Sequence, residues 1–125
     1  MTDPNDAFDP SWPQHLIALH PALFTDTIGL ASVLQHWRPL LMAWVDELVS
    51  AGAIEQGVVV DEVKVKYGTL RADLQSPQGN QAAWDAFETS LEERSGRICT
   101  ECGEPCEYDD VSMTSRCARH SLTSV

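Results

Sequence analysis

The tail of the chain constrains everything before it. It reads Cys99-Thr-Glu-Cys102, then fourteen residues, then Cys117-Ala-Arg-His120. A Cys-x-x-Cys knuckle turns back tightly enough for both sulfurs to reach one ion, and Cys-x-x-His does the same from a second turn. Three thiolates and one imidazole complete a tetrahedral set, so the spacing predicts structural zinc (Zn2+) held by Cys99, Cys102, Cys117 and His120. No position in such a set is left open for water or substrate. Gly103 and Pro105 follow the first knuckle, where a tight return is needed. Cys106 blurs the assignment, because Cys99, Cys102, Cys106 and Cys117 also make a four-ligand set. His120 is preferred because it completes a second pair that mirrors the first.

Two other uses of the cysteines are weaker. Disulfides need an oxidising compartment, and four cysteines allow three pairings. The start, Met1-Thr-Asp-Pro-Asn-Asp6, has neither the basic run nor the apolar run of a secretory leader, so a cytoplasmic location is expected. A redox knuckle belongs beside a βαβ unit, and the pattern contains none.

Charge narrows the partners. The 125 residues carry a net charge of −11, which repels phosphates and favours capture of a basic partner. Residues 1–62 hold nine acids and one base, whereas residues 63–125 hold ten acids and seven bases. The excess therefore lies away from the cysteines. No apolar run reaches membrane-spanning length, so no membrane role is expected.

The fold class expected is α+β, in a single domain over 1–125. Residues 1–13 read as an extended arm with prolines at 4, 10 and 13, pinned by Phe8 and Trp12. Residues 14–96 read as a helix-hairpin-helix core, and 97–120 as a zinc module fused to it. Gln14 to Leu23 suits a short helical turn, interrupted at Pro21. His15, His20 and His36 lack flanking ligands and read as ordinary histidines.

A helix is predicted from about Arg38 to Ala51. Pro39 fits its first turn and Gly52 its stop. Leu41, Trp44, Val45, Leu48 and Val49 recur at helical spacing as a buried stripe, and Asp46 and Glu47 fall opposite it. Val58 to Lys66 and Thr69 to Leu74 then read as a β-hairpin about Tyr67-Gly68. That register places Val63, Val65, Leu70 and Ala72 on one face and Lys64, Lys66 and Arg71 on the other. Asp61 breaks the alternation and predicts a bulge or strand end. Tyr-Gly is not a favoured two-residue turn, which points to a longer loop. Asn80 suits the N-cap of a second helix from Gln81 to about Ser95, with Trp84, Phe87 and Leu91 as its seam and Gly96 as its end.

Two motifs, Val63-Lys-Val-Lys-Tyr-Gly-Thr-Leu-Arg71 and the cysteine tail, occur in this order. Together they resemble an uncharacterised family of small bacterial proteins with an amphipathic helix, a "VKxKFGTLR"-like hairpin, a second helix and a CxxC…CxxH zinc-binding tail. The resemblance spans roughly Trp37 to His120 and implies the same zinc ligands. The chain departs from the family at Ala72-Asp73, where aromatics are expected, at Cys106, and at Ser112-Met113. The family is similar in look to small proteins encoded beside bacterial toxins.

Catalysis is not expected, since the metal set is full and Asp61-Glu62 and Glu92-Glu93 are neighbours that point apart. A zinc-ribbon nucleic-acid-binding or regulatory protein is the alternative. However, residues 97–125 carry three arginines against five acids, which makes nucleic acid an unlikely partner. What remains is an acidic, zinc-stabilised protein-binding module. Its leading form is an immunity or antitoxin-like inhibitor of a bacterial toxin, with a basic toxin domain as the partner. Asp46 and Glu47 would steer that partner and Trp12 would anchor it.

Overall fold

Proline at a helix's first turn loses no hydrogen bond, and two helices of this chain begin that way. In the computed structural model, which describes residues 11–25, 27–77, 79–109 and 113–117, helix α1 is Trp12–Leu19. The predicted arm over 1–10 lies outside the described residues. Trp12 and Pro13, however, belong to the helix rather than to an arm. Trp12 and Leu16 are one turn apart, and both are fully buried. The Arg38 guanidinium covers the Trp12 ring at 5.1 Å. Trp12 is therefore a core residue and not the exposed anchor expected, because its indole sits on the apolar face that α1 turns inward.

Helix α2, Arg38–Ser50, follows the predicted bounds, with Pro39 in its first turn. Leu41, Trp44, Val45 and Leu48 are buried, while Asp46 and Glu47 are exposed. Gly52 adopts a left-handed φ of 92° just past the end. A short 3-10 turn, Gln35–Trp37, leads into α2.

Strands β1, Val59–Lys66, and β2, Thr69–Gln75, pair antiparallel. The register is the predicted one: Val63 faces Ala72, Lys64 faces Arg71, Val65 faces Leu70 and Lys66 faces Thr69. The irregularity between Val60 and Glu62 places a bulge at Asp61. One expectation fails at the hairpin's end. The loop is no longer than Tyr67-Gly68, with φ of 54° and 74°, a type I′ turn. Val65 is 42% exposed, because the strands run past the core they cover.

Helix α3, Gln81–Ser95, packs along β2. Asn80 precedes it, but its side chain makes no cap; it donates instead to the Gln56 amide oxygen at 3.1 Å. Trp84 and Leu91 are buried, and Phe87 packs against the core. Both central indoles fasten α3: Trp37 Nε1 donates to the Ser95 carbonyl at 3.1 Å, and Trp44 Nε1 to the Phe87 carbonyl at 2.8 Å.

A two-stranded sheet is marginal alone, and this one is covered on each side. Residues before α2 line β1: the Val60 N–H donates to the Leu23 carbonyl, and the Val63 N–H to the Ile28 carbonyl, both at 2.8 Å. Side chains of α3 line β2. Ser95 Oγ accepts the Leu70 N–H and Glu88 Oε2 the Leu74 N–H, each at 2.7 Å. Beyond α3, strands β3, Tyr108–Asp109, and β4, Thr114–Ser115, form a second small antiparallel sheet. No helix among the described residues is long and apolar enough to cross a membrane.

Candidate metal centre

The knuckle is built by its own backbone. The Gly103 N–H donates to the Cys99 carbonyl at 2.8 Å, which closes the turn and points both sulfurs the same way. Gly103 has φ of 80°, and a side chain there would press on the His36 ring. The Cys99 N–H donates to the Glu104 carbonyl at 2.8 Å, and the Cys106 N–H to the Arg97 carbonyl at 2.9 Å. These bonds fold the segment back on the end of α3. The Thr100 N–H then donates to the Ser115 carbonyl at 2.9 Å, tying the knuckle to β4 and bringing up Cys117.

As a result, the ligand sulfurs of Cys99, Cys102 and Cys117 all lie within 4.8 Å of one another. Cys102 Sγ and Cys117 Sγ are 3.6 Å apart. Three converging thiols on short, backbone-fixed turns suit a soft or borderline divalent ion. Of the four predicted ligands, these three are brought together; His120 lies outside the described residues. Cys106 does not join them. Its sulfur turns to the Gly96 carbonyl at 3.8 Å, and burial, followed by the charge of the three clustered sulfurs, pushes its pKa up.

The cluster divides its protons unevenly. Burial pushes the Cys99 thiol up, but the backbone N–H groups of Cys117, Glu101 and Cys102 outweigh it and hold the pKa at about 6. At Cys102 the Glu104 N–H pulls down, while burial and the neighbouring sulfurs of Cys117 and Cys99 prevail and raise it. Cys99 thus gives up its proton more readily than Cys102.

The module is seated on the hairpin's end. Tyr108 Oη donates to the Tyr67 carbonyl at 2.5 Å, and Ser115 Oγ to the Gly68 carbonyl at 3.1 Å. A Cβ on Gly68 would come within 2.3 Å of the Met113 carbonyl oxygen. His36 is the neighbour that sequence reasoning missed. It sits beside Gly103 only because the turn before α2 folds against the tail, and no local spacing signals that.

The other predicted site residues disperse. Asp46 and Glu47 lie on the exposed face of α2, and Glu47 is held by Arg94 at 2.8 Å. The basic face of the hairpin is largely neutralised. Lys64 meets Asp73 at 3.3 Å and Glu62 at 3.5 Å, which raises its pKa, and Arg71 meets Glu92 at 2.5 Å. An open cleft of about 570 Å³ between α3 and the module is lined by Arg71, Arg97, Glu93 and Glu107, charges of both signs.

Compared with protein-family models, curated proteins and solved structures, the chain matches none.

Proposed function

We propose that this chain is a cytoplasmic, non-catalytic protein-binding module stabilised by zinc, acting as an immunity or antitoxin-like inhibitor of a bacterial toxin. The observation that carries the reading is how the thiol cluster is used. Strands β3 and β4 grip the end of the hairpin through the Tyr108 and Ser115 hydroxyls, and the knuckle holds β4 through the Thr100 N–H, so an ion bound at the thiols would stiffen that surface. His120 is the fourth ligand in this reading, and the resemblance of the two sequence motifs to a bacterial family supports it.

Acidity supplies the partner's sign. With a net charge of −11 and Asp46 exposed on α2, association with a basic domain is steered at low salt and slowed by screening. Glu47 contributes less, being shared with Arg94. The nucleic-acid alternative needs free cations, and Lys64, Arg71 and Arg116 all meet carboxylates. The test is salt-dependent kinetics against a basic toxin domain encoded beside the gene. Asp46→Lys should slow association, and Lys64→Glu should not. Loss of binding only in the lysine variant overturns the proposal.

A further inference from the structure

The three converging thiols are not equivalent. Cys99 is fully buried, whereas Cys102 and Cys117 are half-buried. The sulfurs of Cys102 and Cys117 are 3.6 Å apart, close enough for side-chain rotation alone to bring them into bonding distance. Cys106 does not compete for either, since its sulfur is turned to the Gly96 carbonyl. An oxidant arriving from solvent therefore meets Cys102 and Cys117 before Cys99.

The backbone already sets the approach of these two cysteines. The Thr100 N–H donates to the Ser115 carbonyl at 2.9 Å, and each of those residues stands two positions before one of the pair. A bond between Cys102 and Cys117 would therefore join the same two chain stretches, knuckle and β4, that this hydrogen bond joins. A bond between Cys99 and Cys102 would brace only the knuckle, which the Gly103 N–H already closes on the Cys99 carbonyl.

We propose that Cys102 and Cys117 are a reversible redox pair, which hydrogen peroxide joins as a disulfide. One of the two, as thiolate, attacks the peroxide: a sulfur–oxygen bond forms, the oxygen–oxygen bond breaks and hydroxide leaves. The second thiolate then attacks that sulfur: a sulfur–sulfur bond forms, the sulfur–oxygen bond breaks and a second hydroxide leaves. The pair gives up two electrons and the peroxide takes them. An ion held by Cys99, Cys102 and Cys117 loses two of its thiolates in this step and is released. The disulfide then takes over the tie between knuckle and β4, so the metal-free oxidised module keeps its seat on the hairpin. Transient disulfides of this kind are the ones a reducing compartment permits. The inference rests on the reading of the cluster as a metal centre and is independent of any toxin partner.

The test treats the zinc-loaded full chain with hydrogen peroxide. Zinc release, read with an indicator dye, should run in step with the loss of titratable thiols, and dithiothreitol with added zinc should reverse both. Trypsin cuts after Arg97, Arg116 and Arg119, so a bond between Cys102 and Cys117 links the 98–116 peptide to the 117–119 peptide, whereas a bond within the knuckle stays inside the first. Mass spectrometry should find the linked pair, and its fragmentation should place the bond at Cys102. Cys106→Ser should give the same link in the same yield. In NMR spectra, the oxidised, metal-free chain should keep the Gly68, Thr100 and Ser115 amide signals that chelation of the reduced chain displaces. A bond inside the 98–116 peptide, a link from Cys99 or Cys106 to Cys117, over-oxidation without any link, or zinc retained with every thiol intact would each overturn the proposal. Zinc content before oxidation tests the metal reading and the position of the link tests the redox pair, so the two fail separately.

Discussion

Substituting Gly68 by alanine tests whether the metal module is locked to the hairpin. Two costs arise. The left-handed φ of 74° charges a Cβ roughly 1 kcal/mol. The new Cβ also lands 2.3 Å from the Met113 carbonyl oxygen and 3.1 Å from Thr114 Cα, both backbone atoms that cannot rotate away. One turn must retreat by on the order of 1 Å, more than a packed join absorbs. The Ser115–Gly68 and Tyr108–Tyr67 hydrogen bonds go with it, at about 1 kcal/mol each. The expected loss is therefore roughly 3 kcal/mol, a large part of a small domain's stability. Gly79→Ala is the internal control: its φ is 87°, yet nothing lies within 4 Å of the added Cβ, so only the conformational cost of about 1 kcal/mol applies. Urea unfolding of both zinc-loaded variants measures the difference. Zinc transfer to a chelator, timed in parallel, should be faster only in Gly68→Ala. If the two variants unfold alike, the join is not tight and the reasoning is wrong.

Elemental analysis should find about one zinc per chain; Cys102→Ser or Cys117→Ser should abolish it, while Cys106→Ser should not. Ser95→Ala should cost about 1–3 kcal/mol in denaturant, because it strands the buried Leu70 N–H without replacing its acceptor. Burial raises the Glu88 pKa despite the Leu74 N–H, so its contribution is fully present below the ordinary carboxylate pKa and is lost as pH rises through the raised value. Glu88→Gln should accordingly melt higher at pH 7 and no higher in acid; an advantage of equal size at both pH values would count against it. A chelator should release the tail and lower the melting temperature while helical circular dichroism persists, since a continuous cluster of buried side chains from Trp12 to Leu91 lies outside the cysteines. Collapse of the helical signal at room temperature would show the core cannot stand without the metal.

The elements that could be read from sequence are those whose pattern is local. Leu41, Trp44 and Leu48 repeat at helical spacing over three turns, so α2 is legible to its ends. Alternation on both sides of Tyr67-Gly68 fixed the register, and Asp61 marked its own bulge. Trp12 was not legible, because α1 has eight residues, too few for its stripe to stand out among three nearby prolines. Val65 alternates correctly yet is exposed, since alternation says which face a residue takes and not where the core beneath it ends. The pairing of Lys64 with Asp73 and of Arg71 with Glu92 arises from cross-strand and helix–strand geometry, so a cluster read as basic is mostly compensated. Of the candidate site, the Cys-x-x-Cys knuckle is a local signal, but the approach of His36 to Gly103 is a tertiary one.

Three parts of the chain, the segment before α2, helix α3 and the small second sheet, meet at the hairpin. Its two strands have outer edges that must be satisfied, and three different devices do so. The segment through Leu23 and Ile28 adds backbone partners to β1. Helix α3 reaches β2 with a serine hydroxyl and a carboxylate in place of a third strand. At the turn neither is available, and the backbone there is strained at Tyr67. Among the described residues, the carbonyls of Tyr67 and Gly68 accept from Tyr108 and Ser115, which short strands of two residues each could not hold in place alone. Three thiols on the adjoining turns would supply that rigidity on closing around an ion. The sulfur cluster therefore lies next to the turn of the hairpin, where an ion held by Cys99, Cys102 and Cys117 would fix β4 and, through Ser115, the Gly68 carbonyl.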